Sequence, residues 1–71
     1  MGKRREPRVG EVWQSSPMDG FTVWKHILVV REMHVCYELI CGRLCLMDID
    51  EFMTCNQRAK RIKSWDELVN G

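Results

Sequence analysis

Apolar and polar positions alternate in short runs through most of this chain, and turn-forming residues separate the runs. Val9 to Gln14 carries Val12 and Trp13 behind Gly10 and reads as a first short strand. Ser15-Ser16-Pro17-Met18-Asp19-Gly20 is dense in turn formers and predicts a loop. Phe21 to Arg31 is the longest run, with Phe21, Val23, Ile27 and Val29 on one face and Trp24, Leu28 and Val30 on the other. Lys25 and His26 interrupt it, which predicts a bend or a sheet edge at that point. After a turn at Glu32-Met33-His34, Val35, Tyr37 and Leu39 alternate with Cys36, Glu38 and Ile40. Gly42 supplies the next turn, and Leu44 to Met47 is a fourth strand.

The pattern then changes period. Asp48 can accept hydrogen bonds from free backbone N–H groups, so it caps a helical turn over residues 49–53 with Ile49, Phe52 and Met53 facing inward. Arg58 to Ile62 is a candidate fifth strand. Ser64-Trp65-Asp66-Glu67 has the spacing of a capping box and opens a short C-terminal helical turn, with Trp65, Leu68 and Val69 packing back. The expectation is all-β: a five-stranded SH3-like small barrel with a short C-terminal helical turn. It occupies residues 10–71, behind a flexible basic arm over residues 1–9. Such a barrel has almost no interior, so its function is expected on its surface.

Composition fits this picture. The chain has 71 residues, enough for one domain, and 45% of them are apolar. Three Trp, two Phe and one Tyr supply the bulk of a small core. Net charge is only +1, so bulk electrostatics select no partner. The distribution is uneven, however. Lys3, Arg4, Arg5 and Arg8 lie at the start, Arg58, Lys60, Arg61 and Lys63 near the end, and Asp48, Asp50 and Glu51 form an acidic corner. Residues 2–10 are charged with no apolar stretch behind them, and no run is long enough to span a bilayer. A cytoplasmic protein without membrane contact is expected.

Candidate chemistry is sparse. Cys36, Cys41, Cys45 and Cys55 are separated by four, three and nine residues, which is not the close pairing of a zinc site. Disulfides do not suit a reducing compartment, and unlinked thiols serving partly as core are the expectation. His26 and His34 have no neighbouring nucleophile with an orienting acid and read as surface histidines. Asp48, Asp50 and Glu51 make a poor calcium loop; helix capping, solvated charge or an acidic contact patch suits them better. No catalytic, metal or cofactor site is expected. The basic segments are the best binding candidates: their cations can contact phosphates, and Trp24, Trp65, Tyr37 or Phe21 can stack on bases where exposed.

Val9-Gly10-Glu11-Val12-Trp13, then a loop, then Ile27-Leu28-Val29-Val30, resembles the opening of PemK/MazF-type toxins, SH3-like barrels that cleave RNA as dimers. The likeness covers the first thirty residues or so. That family's arginine-proline before the Leu-Val-Val strand is missing, since His26 precedes Ile27 here, so no catalytic residue carries over. Size and strand spacing are also similar to small SH3-like proteins of phages and mobile elements. That resemblance implies a non-enzymatic accessory or inhibitory protein, for example of anti-CRISPR type, that binds a larger protein or protein–nucleic-acid complex. A protein partner ranks first, through Asp48, Asp50, Glu51, Arg58, Lys60, Arg61 and Lys63. Nucleic acid ranks second, through the two basic segments, and a PemK/MazF-like RNase third.

Overall fold

The computed structural model describes residues 6–15, 20–62 and 64–70. Five strands form one antiparallel sheet: β1 (Val12–Ser15), β2 (Val23–Val30), β3 (His34–Glu38), β4 (Leu44–Asp48) and β5 (Gln57–Arg58). Helix α1 (Ile49–Cys55) joins β4 to β5, and α2 (Trp65–Asn70) ends the chain. The strand order is β4-β3-β2-β1-β5. The sheet is open rather than a closed barrel, because β4 and β5 lie at opposite edges and do not pair. The expected fifth strand over 58–62 is cut to two residues: after Arg58, only the Ala59 N–H continues the ladder, bonding the Val12 carbonyl at 2.9 Å, and the chain turns at Lys60 and Arg61. A strand this short ends before it can reach β4.

The strands follow the alternation with one correction. β2 and β3 pair Ile27 with Tyr37 but Val29 with Cys36, so Leu28 is the extra residue of a bulge. The bulge reverses the facing of everything after it. Val29 points outward, half-exposed, while Val30 packs on the core. The inner face of the sheet therefore carries Trp13, Ile27, Val35 and Tyr37, with Cys45 and Met47 beside them. Gly42 takes φ +90° in the β3–β4 turn and donates its N–H to the Leu39 carbonyl at 2.8 Å, a conformation only glycine adopts without strain.

Helix α1 covers that inner face. Asp48 is its N-cap: Oδ1 accepts from the N–H of Asp50 at 3.0 Å and of Glu51 at 3.2 Å. Asp50 and Glu51 in the first turn favour the positive end of the helix dipole. Phe52 is fully buried, its ring 5.4 Å from Trp13 and 5.3 Å from Tyr37, both tilted. Ile49 is buried and Met53 packs on the same cluster. The single turn expected over 49–53 is thus a full helix with the expected inward side chains. On the other face α2 lies against the sheet through Trp65, which stacks on His26 at 5.1 Å and 13°. Residues 6–10, before β1, are exposed apart from Pro7, which is fully buried, and they are joined to the sheet where the Gly10 N–H bonds the Ile27 carbonyl at 2.9 Å. Residues 1–5 of the expected arm lie outside the described residues.

Two substitutions test this core. Phe52→Ala empties the centre of the inner face and should cost about 3–5 kcal/mol. That is a large share of the roughly 4–11 kcal/mol expected for a domain of this size, so urea denaturation should find the transition shifted to low denaturant or absent. Asp48→Ala removes one cap and should cost about 1 kcal/mol in the same assay, with the sheet intact by circular dichroism.

Candidate functional site

The basic residues of the C-terminal segment gather beside the β5 edge. On the outer face the register sets Gln57 opposite Gln14, and Gln14 opposite Trp24. This row of three side chains floors a shallow groove of about 430 Å³, walled by Arg58, Lys60, Arg61 and Ile62. The turn at Lys60 and Arg61 holds both side chains exposed. Arg58 is tied down: its guanidinium donates to Glu11 Oε2 at 3.5 Å. The same carboxylate accepts the Arg8 N–H at 2.8 Å and the Trp13 indole N–H at 3.2 Å through Oε1. Glu11 thereby sets the position of Arg58 while offsetting part of its charge. Lys60 and Arg61 make no ion pair with a described residue, so they carry most of the groove's positive potential.

The other expected positions separate. Lys63, Lys3, Arg4 and Arg5 lie outside the described residues, and Arg8 is exposed beside Glu11. Asp48, Asp50 and Glu51 stay together at the start of α1, at the opposite edge of the sheet from the cationic groove, with Asp48 engaged in capping. Among the aromatics, Trp24 lines the groove and is half-buried. Tyr37 is buried in the core, Trp65 is occupied by His26, and Phe21 is exposed away from the groove's lining. His26 is partly exposed but partnered: it lies between Trp65 and Glu38, with Nδ1 2.9 Å from Glu38 Oε1. His34 is exposed and pairs with Asp48 in the ladder instead. The four cysteines are free thiols at four different places, and among the described residues no three His, Cys, Asp or Glu side chains converge as metal ligands. No helix among the described residues is long and apolar enough to cross a membrane.

The residue that the sequence pattern misreads is Lys25. It marks no edge, since β2 lies between β1 and β3 and the strand's irregularity falls at Leu28; Lys25 points to the inner face with 8% of its surface exposed. Its ammonium donates to Ser15 Oγ at 3.0 Å and to Asn56 Oδ1. It also lies 5.8 Å from the centre of the Tyr37 ring and 5.9 Å from that of Phe52. Asn56 is the C-cap of α1, and its Nδ2 donates to the Phe52 carbonyl at 2.8 Å. The last turn of α1 has no basic residue of its own, so Lys25 supplies the positive charge that the helix C-terminus favours. Burial holds the Lys25 ammonium below the ordinary lysine range, with Cys55 and Cys45 pulling weakly the other way. Burial pushes the Tyr37 hydroxyl up, and Cys45 adds to that shift. This network holds the end of the helix to the sheet directly behind the groove.

No family model, no curated protein and no solved structure matches this chain.

The Lys25 network predicts a pH dependence. The folded state binds the Lys25 proton less tightly than the unfolded chain does. Between the lowered value and the ordinary value of about 10.4, the unfolded state therefore holds more protons, and stability rises with pH. Urea denaturation of the wild type and of Lys25→Met, from pH 7 to 9.5, should show the wild type gaining on the variant as pH increases. A constant difference would mean that the ammonium is solvated in the folded protein.

Proposed function

We propose that this chain is a non-enzymatic binding module of the SH3-like kind that engages an anionic surface on a larger protein or protein–nucleic-acid complex. The observation that carries this reading is the groove beside β5, lined by Arg58, where the exposed Lys60 and Arg61 flank the Gln57–Gln14–Trp24 row. It pairs exposed cations with an aromatic face and two amide side chains, a combination suited to carboxylate or phosphate groups and whatever flat or apolar group lies between them. The SH3-like assignment is supported by a four-strand meander, a helix before the last strand, and a short fifth strand that returns to pair with the first. An accessory or inhibitory role of phage or mobile-element type, carried out in the cytoplasm, agrees with the small size and the surface location of the candidate site. Asp50 and Glu51, exposed near the other edge of the sheet, offer a second contact of opposite sign.

Single-stranded nucleic acid is the second reading, favoured by Trp24 alone. A base stacking there would leave its flanking phosphates close to Lys60 and Arg61.

Charge reversal separates the two. Tagged wild type, Lys60→Glu/Arg61→Glu and Asp50→Lys/Glu51→Lys would be used for affinity capture from the cell in which the protein acts. A partner held by the wild type and lost on reversing Lys60 and Arg61 is expected. Fluorescence titration of a labelled single-stranded oligonucleotide provides the second arm. Binding that weakens with salt at a slope of about −0.7 per phosphate contact, and that is lost in Trp24→Ala, would move the assignment to nucleic acid. A partner retained equally by all three proteins would refute the groove as the site.

A further inference from the structure

The open edge of β4 has features that the groove does not use. The Leu39 N–H bonds the Arg43 carbonyl at 2.9 Å, and the Ile49 N–H bonds the Met33 carbonyl at 2.9 Å. Because bonded and non-bonded pairs alternate along an antiparallel ladder, Cys45 and Met47 spend their backbone groups on β3. Leu44, Leu46 and Asp48 turn theirs to the open side. The side chains of Leu44 and Leu46 are 63% and 69% exposed, on the outer face of the sheet. Leu46 continues a cross-strand row through Cys36 to Val29, which is also exposed. The usual protections of an edge are missing from Leu44–Asp48: it has no Lys, no Pro and no bulge.

The chemistry of this edge matches itself. Read from residue 43 to 48, the segment runs from a cation, Arg43, through apolar residues to an anion, Asp48. An antiparallel copy brings each Arg43 to the end where the other copy has Asp48. The outward-facing backbone groups belong to even-numbered residues, so even positions must pair with even positions. Of the registers this allows, two set a leucine opposite Leu46. One sets Leu46 opposite Leu46 but puts the Asp48 carboxylate beside Leu44. The other sets Leu44 opposite the second copy's Leu46 twice over, clustering four leucines on one face, with Arg43 opposite Met47 and Asp48 opposite Gly42 at both ends. Apolar matching selects the second register, since the first buries the Asp48 carboxylate against Leu44.

We propose that the β4 edge is a homodimer interface, in which Leu44 and Leu46 pair antiparallel with Leu46 and Leu44 of a second copy to make one continuous ten-stranded sheet. The contact is two-fold and closed, so it uses up both edges and does not propagate. In this register Cys45 faces Cys45 in a non-bonded pair with Cα atoms about 4.5 Å apart. Cys36, one strand further in, lies three strand spacings, about 14 Å, across the sheet from its equivalent and two residues out of line with it, well beyond disulfide reach.

Sedimentation equilibrium in reducing buffer should find a species of twice the 8.4 kDa chain mass in concentration-dependent exchange with monomer. Leu46→Lys places two ammonium groups in the leucine cluster and should weaken the dimer by about 100-fold or more, with the fold unchanged by circular dichroism. Arg43→Glu, outside the strand, should weaken it less but in the same direction. Variants retaining only Cys45 or only Cys36 would be oxidised with diamide, which takes up the two electrons and two protons of the thiol pair. The Cys45 protein should cross-link as a dimer and the Cys36 protein should not. A wild type that stays monomeric to about 1 mM, a dimer indifferent to Leu46→Lys, or equal cross-linking at the two positions would overturn the proposal.

Discussion

Helix α1 has to lie on the sheet because Phe52 is the side chain that fills the space between Trp13 and Tyr37. Strands β1 and β3 do not touch each other in the sheet order, so the ring joins two strands that backbone hydrogen bonds do not join. The helix, though, is only seven residues long and would not persist alone. It is held at both ends by specific polar contacts: Asp48 caps the start, and the Lys25–Asn56–Ser15 network clamps the finish. The second clamp places a cation on the core face with no carboxylate among its described partners. Its desolvation is offset by two oxygen acceptors, two aromatic faces and the negative end of the helix.

Placing α1 there also decides where β5 begins. Asn56 ends the helix, and the next two residues are β5, paired with β1. The Lys25–Asn56 contact thus fixes the start of the strand whose neighbours form the cationic groove. Arg58 emerges next to Glu11, whose carboxylate also holds Trp13 and the Arg8 backbone, so one acidic side chain links core, N-terminal segment and groove. The charge at the rim is left to Lys60 and Arg61. A chain of net charge +1 can in this way present a locally positive surface, because Glu11 is used in positioning Arg58 while Asp48, Asp50 and Glu51 lie near the far edge.

The parts of this arrangement that sequence reveals are those set by neighbours close along the chain. Alternation located four strands, Gly42 marked a turn, and Asp48 before Ile49 announced a helix start, because each depends on residues within a few positions. Lys25 was misread because its partners Ser15 and Asn56 are 10 and 31 residues away, so a lysine in an apolar strand looks like an interruption until the fold supplies acceptors. The bulge at Leu28 was invisible for a similar reason: only the register with β3 reveals the extra residue, and it reverses Val29 and Val30. The fifth strand was overextended because Ala59 and Ile62 suggest a strand, while pairing with β1 stops at the turn. For the candidate site, the cations were legible as a cluster, but their alignment with Trp24 and Gln14 needed the β1–β2–β5 register.

The outer face of the sheet therefore has three zones: cations around Trp24 at the β5 edge, α2 over His26 in the middle, and bare leucines at the β4 edge. The two edges have different requirements. A groove that recognises charge works best when solvated and accessible, whereas an unpaired apolar strand is a liability until something covers it. Covering β4 with a second copy would leave both grooves free, at the two far ends of one extended sheet. The groove alone is shallow, and exposed cations bind weakly one at a time. Two grooves on a rigid frame would bind a repetitive or two-fold anionic partner with an effective concentration set by the sheet itself rather than by a flexible linker.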